Sequence, residues 1–122
     1  MKYVCLVYYD GKQEEAMSPE AWQALVNQCL AYGKDVRASG HFVAGESLHP
    51  VSSATTVRVR DGKVSVTDGP FAETKEQLAG FYRLEARDLN EAIQLASRIP
   101  PARLGSIEIR PVRELPRDAA SP

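Results

Sequence analysis

KYVCLVYY, residues Lys2 to Tyr9, is rich in Val, Leu and Tyr and reads as a β-strand with apolar side chains on both of its faces. Side chains alternate across a strand, so Tyr3, Cys5, Val7 and Tyr9 take one side while Val4, Leu6 and Tyr8 take the other. Antiparallel sheets with one wet face carry alternating apolar and polar residues; this strand does not, so neither face is expected to meet bulk water. The fold therefore has to supply two covers for it.

The first cover follows downstream. Ser18-Pro19-Glu20 opens a helix, with Ser as N-cap, Pro at the first helical position and an acid in the first turn. Trp22, Leu25, Val26, Cys29, Leu30, Gly33 and Val36 recur at steps of three and four and are expected to form one buried stripe, ended by Ser39-Gly40. Asp88 caps a second helix and Glu91 completes a capping box. Leu89, Ala92, Ile93, Ala96 and Ile99 are expected on its inner face, and Pro100-Pro101 stops it.

The remaining strands fall around these helices. His41 to Leu48 is a short strand interrupted by Gly45, with Glu46 on the parity of Phe42, Ala44 and Leu48. Ala54 to Arg60 and Lys63 to Asp68 form a hairpin about Asp61-Gly62, a pair that type I′ turns prefer. A two-residue loop sets Val59 opposite Val64, Val57 opposite Val66 and Thr55 opposite Asp68, so that Asp68 continues a row of valines. Gln77 to Ala86 carries Leu78, Gly80, Tyr82 and Leu84 on one side and Ala79 and Phe81 on the other, and Ser106 to Val112 closes the chain's strands. The order predicts an α+β sandwich: a split βαβ plan with an inserted hairpin, two helices lying on one face of an antiparallel sheet. Residues 1–113 form one domain and 114–122 a frayed tail. The second face of the first strand is expected to be covered by another copy, giving a homodimer joined sheet to sheet.

Composition narrows the function. The 122 residues balance to a net charge of −1 with no basic stripe, which argues against nucleic acid or an anionic membrane as partner. The N-terminal apolar run is too short for a signal or a membrane span, so a cytoplasmic location is expected. Cys5 and Cys29 read as small buried hydrophobes without metal spacing. No phosphate-cradling loop, nucleophile elbow or dinucleotide fingerprint is present, and neither a metal nor another cofactor is expected.

VTDGPFAETKE, Val66 to Glu76, holds the main candidate site. Asp68 reads either as an acceptor for the backbone of its own turn or as a carboxylate beside a cleft, a potential general base. Phe71 reads as an anchor of the loop or a platform for a ligand ring, and Lys75 is the cation that reaches back toward Asp68. His41 is a structural hydrogen-bonder or a second acid–base group. Glu46, Tyr8 and Tyr82 are further candidates for lining the same cleft.

VTDGPFAETKEQLAGFY, then a short helix ending in IP, then GSIEIRPV, resembles the DGPF group of YCII-related proteins, and the resemblance runs from KYVCLVYY to RPV. It implies a ferredoxin-like fold of the dimeric α/β-barrel class, with clefts left where two sheets pack. It also implies acid–base chemistry of a lyase- or isomerase-like kind in some members, and sigma-factor association in others. The enzymatic members carry a histidine near the start of the first helix, whereas SPEAWQALVNQ has none. Two functions follow as expectations: a homodimer with a small-molecule pocket near Asp68 and proton-transfer chemistry, or a non-catalytic interaction or regulatory module.

Overall fold

In the computed structural model, which describes residues 1–116, β1 (Lys2–Tyr9) lies inside a four-stranded antiparallel sheet. Its neighbours are β5 (Gln77–Glu85) and β6 (Gly105–Pro111), and β2 (Phe42–Ser47) flanks β5, giving the order β2-β5-β1-β6. With α2 (Pro19–Ala38) and α3 (Leu89–Ser97) as the two crossovers, the plan is α+β and ferredoxin-like. A short helix, α1 (Gly11–Glu15), precedes them, capped where the Asp10 carboxylate accepts from Lys12 N at 2.9 Å. Five residues without an apolar period leave no pattern for sequence to show. Most of the expected tail, 114–122, lies outside the described residues.

The helix side of β1 is the core. Tyr3, Cys5, Val7 and Tyr9 are buried with Leu84, Val36, Leu95 and Ile99, while Val4, Leu6 and Tyr8 on the outer side are only half-buried. Ile107 and Ile109 pack on the same core opposite Val7 and Cys5, as their alternation with Glu108 and Arg110 predicts.

Two bulges re-aim side chains that plain alternation misplaces. Val7 pairs with Gly80 but Tyr8 pairs with Leu78, so Ala79 is an extra residue in β5. Leu78, expected beside Gly80 and Tyr82, is thereby turned to the outer face, and Ala79 packs on the core. In β2 the register shifts between Phe42 and Ala44. Phe42 joins the core, whereas Ala44 and Glu46 pair with Arg83 and Phe81 on the outer face. Glu46 therefore does not share a side with Phe42.

The helices also depart from their expected stripes. In α2 only Tyr32, Gly33 and Val36 are buried; Trp22 and Leu30 are 39% and 66% exposed. Its C-terminal turns sit on the core and the earlier ones do not. In α3 the inward row is Ala92, Leu95, Ala96 and then Ile99, which turns Leu89 and Ile93 outward.

The inserted hairpin, β3 (Thr55–Arg60) and β4 (Lys63–Asp68), has the expected register, with Thr55 opposite Asp68, Val57 opposite Val66 and Val59 opposite Val64. Asp61 and Gly62 have φ of 52° and 73°, the two positive values a type I′ turn requires. It forms a two-stranded sheet of its own, and its four valines are 57–67% exposed.

Leu84 is wholly buried between Tyr3 and Phe42 in the ladder. Leu84→Ala is expected to cost about 2–5 kcal/mol, read as a lower denaturant midpoint with an unchanged slope.

Candidate functional site

The last turns of α2 are fixed firmly. The Tyr32 hydroxyl donates to the Leu95 carbonyl at 2.8 Å, and its ring meets Tyr82 edge to face, centroids 5.2 Å apart at 82°. Toward its N-terminus the helix leaves space over β2 and β5, a cavity of about 300 Å³. Val7 and Tyr9 contribute from β1, Phe42 and Tyr82 from the neighbouring strands, and Trp22, Cys29, Gly33 and Arg37 from α2. The apolar stripe read as buried core is thus, over much of its length, the wall of this cavity.

Its polar groups are few. The Tyr9 hydroxyl is committed to Glu14 Oε1 at 3.0 Å, and its acidity is suppressed first by burial and then by that carboxylate. Burial pushes the Tyr82 phenol up to about 12, with Cys29 adding to the shift and Arg37 opposing it. Burial raises the Cys29 thiol as well. Both therefore keep their protons at neutral pH and offer hydrogen-bond donors. The Arg37 guanidinium lies over the Phe42 ring, 4.1 Å from its centroid.

Of the residues singled out from sequence, Glu46 and Tyr82 border this cavity. Tyr8 is on the outer face of the sheet, opposite Leu78 and Ser106. Asp68 and Lys75 are exposed, and Phe71 is 77% exposed. Their loop is tied to the hairpin: Gly69 N donates to Ala54 O at 2.7 Å, Thr56 Oγ1 to Gly69 O at 2.7 Å, and Arg58 Nη2 to Phe71 O at 3.3 Å. His41 stands at the foot of β2, with Nδ1 2.7 Å from Ser39 Oγ and Nε2 3.4 Å from Glu91 Oε1. The sequence reading missed Arg37, Cys29 and Phe42 as site residues. The available signal was Gly33, a small residue inside an apolar stripe, followed one turn later by a cation.

The profile of the YCII-related domain matches residues 1–116, all of the described chain. The chain belongs to the YCII-related domain family. An uncharacterised protein of Rhizobium meliloti (strain 1021) is 36% identical over 114 residues, which is 92% of each chain. In this YCII-related chain the matched span takes in the cavity, the DGPF loop and the His41 cluster. No helix among the described residues is long and apolar enough to cross a membrane.

The His41 cluster joins β2 to the start of α3. Glu91 Oε1 accepts from Arg87 N at 3.0 Å, Glu91 Oε2 pairs with Arg87 Nη1 at 2.6 Å, and the Asp88 carboxylate accepts from Glu91 N at 2.9 Å. The Arg87 backbone N–H, and then the charges of Arg87 and His41, hold the Glu91 carboxyl below its usual value of 4.5 against the opposing effect of burial. A carboxyl depressed in the folded state contributes stability that is complete above its unfolded pKa and is lost as pH falls through the folded one. Denaturation of the wild type should accordingly steepen as pH drops below about 4.5, and Glu91→Gln should flatten that part of the profile. Parallel acid profiles for the two proteins would show that the cluster carries no such linkage.

Proposed function

We propose that this YCII-related chain acts as a homodimer that binds a small organic molecule in the cavity under α2. The cavity carries the proposal: about 300 Å³, bounded by Trp22, Phe42, Tyr82 and aliphatic side chains, with a few donors fixed on regular elements. Glu46 and Tyr82 are assigned to its border and wall, and Phe71, Lys75 and Tyr8 to surfaces that a second subunit meets.

Three observations support the dimer. The buried Tyr32, Val36, Ala92, Leu95 and Ala96 of the helices join the cluster on the inner side of β1, leaving Val4, Leu6, Tyr8 and Phe81 on the other side. The hairpin presents four exposed valines, and a lone two-stranded ribbon is marginal in water. Arg83, on the outer face opposite Val4, has a buried Nε with no hydrogen-bond partner among the described residues, a donor that an acceptor from across this face would satisfy. Packing two outer faces together would give the dimeric α/β-barrel arrangement.

Acid–base chemistry at Asp68, with His41 as helper, is proposed only for the assembled dimer. Within one chain Asp68 ends the exposed hairpin and His41 stands beside Glu91, and neither lines the cavity. A second function, a non-catalytic interaction module, is favoured by Phe71, whose carbonyl is held by Arg58 while its ring is exposed.

Light scattering at micromolar concentration should report about twice 13.4 kDa, and Val57→Lys with Val66→Lys should reduce it toward 13.4 kDa. A thermal-shift panel of small cyclic acids and lactones should contain a hit, worth about 2.7 kcal/mol for a ligand at 100 times its Kd. Cys29→Phe, which fills the cavity, should abolish it. A dimer silent to the whole panel favours the interaction module, and a monomeric wild type removes the dimer.

A further inference from the structure

At the C-terminal end of α2 the cavity meets a charge with no counter-ion among the described residues. Only Arg37 and Glu46 among its lining residues carry charged side chains. Pairing with Phe81 turns Glu46 to the outer face of the sheet, the side opposite Phe42 and Tyr82. Arg37 is therefore the charge on the cavity's side.

Its side chain is held by shape. It folds back along the helix over Gly33, where a Cβ would stand 3.1 Å from Nη1, and one face of the guanidinium covers Phe42. Stacking on a ring occupies the face of the guanidinium and leaves its in-plane N–H groups for an acceptor. Arg37 makes no ion pair among the described residues, where the pairs formed involve the N-terminus, His41, Arg87 and Arg110. Tyr82, near Arg37 and Cys29, supplies a protonated hydroxyl at the same end. Arg37 is exposed to solvent, so its pull on an anion is short-ranged and rests on direct contact at the cavity's edge. The fork of a guanidinium matches a carboxylate in two parallel hydrogen bonds.

The volume sets the size of the occupant. About 300 Å³ is at the lower end for ligand pockets, and Trp22 and Arg37 stand about four helical turns apart along one wall. An elongated molecule fits such a cavity.

We infer that the Arg37 end of the cavity binds the carboxylate of a planar one- or two-ring organic acid, with the guanidinium gripping both oxygens and the ring lying between Phe42, Tyr82 and Cys29. The Tyr82 hydroxyl donates one further hydrogen bond to the acid. This rests on the pocket reading above and adds the charge class of its ligand.

Two probes of one shape separate the two statements: 2-naphthoate, an anion at pH 7, and 2-naphthol, neutral there, each titrated calorimetrically into the full chain. The wild type should bind naphthoate at least about threefold more tightly than naphthol, within the range that an exposed ion pair reaches. Arg37→Gln should remove that preference by weakening naphthoate far more than naphthol. Gly33→Ala, which displaces the guanidinium without removing its charge, should weaken naphthoate by a smaller factor. Equal affinities in the wild type, or a naphthoate preference that survives Arg37→Gln, would overturn the acid assignment while leaving the pocket in place. If neither probe binds at millimolar concentration, the pocket falls and the ligand class with it.

Discussion

The placement of α2 depends on the packing around Tyr32. That residue is 5% exposed, its hydroxyl is satisfied by the Leu95 carbonyl of α3, and its ring meets Tyr82 of β5. One side chain thus ties α2 to the second helix and to the sheet together. A buried hydroxyl left without its acceptor costs about 1–3 kcal/mol, so the helix has little freedom to slide or roll at this point. Val36, fully buried one turn on, locks the same end. The earlier turns of a 20-residue helix have no comparable hold, and the space beneath them is the cavity.

The sheet divides the work between its two faces. The inner face carries the core and the cavity, both roofed by helices of the same chain. The outer face carries an apolar centre of Val4, Leu6, Tyr8 and Phe81 bordered by Lys2, Arg83, Glu85, Glu108 and Arg110. An apolar centre with a charged rim is how protein interfaces are commonly built. The hairpin extends that chemistry off the sheet: a twisted ribbon with valines on one face and Thr56, Arg58 and Arg60 on the other. Two of those polar residues are used within the chain, Thr56 and Arg58 bonding the carbonyls of Gly69 and Phe71. The DGPF loop is therefore an extension of the hairpin, positioned by it and exposed along with it.

What could be read from sequence was local or strictly periodic. The Asp61-Gly62 turn fixed the pairing of six residues, and the Ser18 and Asp88 caps marked two helix starts within a residue. The two apolar faces of β1 were legible because alternation needs only a count of two. The bulges at Val43 and Ala79 were not, since an extra residue in one strand is defined by its partner across the ladder. Each turned a candidate to the other face, Glu46 in one case and Leu78 in the other. The cavity was hidden for a related reason. Trp22, Cys29 and Leu30 lie on the proper helical face, but a period says which side of a helix is apolar and not whether anything reaches it. Asp68 stood out in sequence through its place beside Gly69 and Pro70, but the chain only bends there, and Asp68 sits exposed at the end of the ribbon away from the Asp61-Gly62 tip.

The electrostatics of the cavity limit what one chain can do there. Tyr82 and Cys29 are both shifted upward by burial, away from the range in which a phenol or thiol gives up a proton at neutral pH. Tyr9 is shifted the same way, and Glu14, to which it donates, is held in that bond. A general base works best with a pKa near the ambient pH, and none of these three is near it. Arg37 adds positive charge at the edge of the cavity. The other charged residue of the lining, Glu46, is turned to the outer face of the sheet, so the cavity's own side carries donors and no carboxylate among its lining residues. Asp68 lies outside the lining, on a hairpin that forms a two-stranded sheet of its own. What Asp68 meets is therefore set by where that ribbon packs.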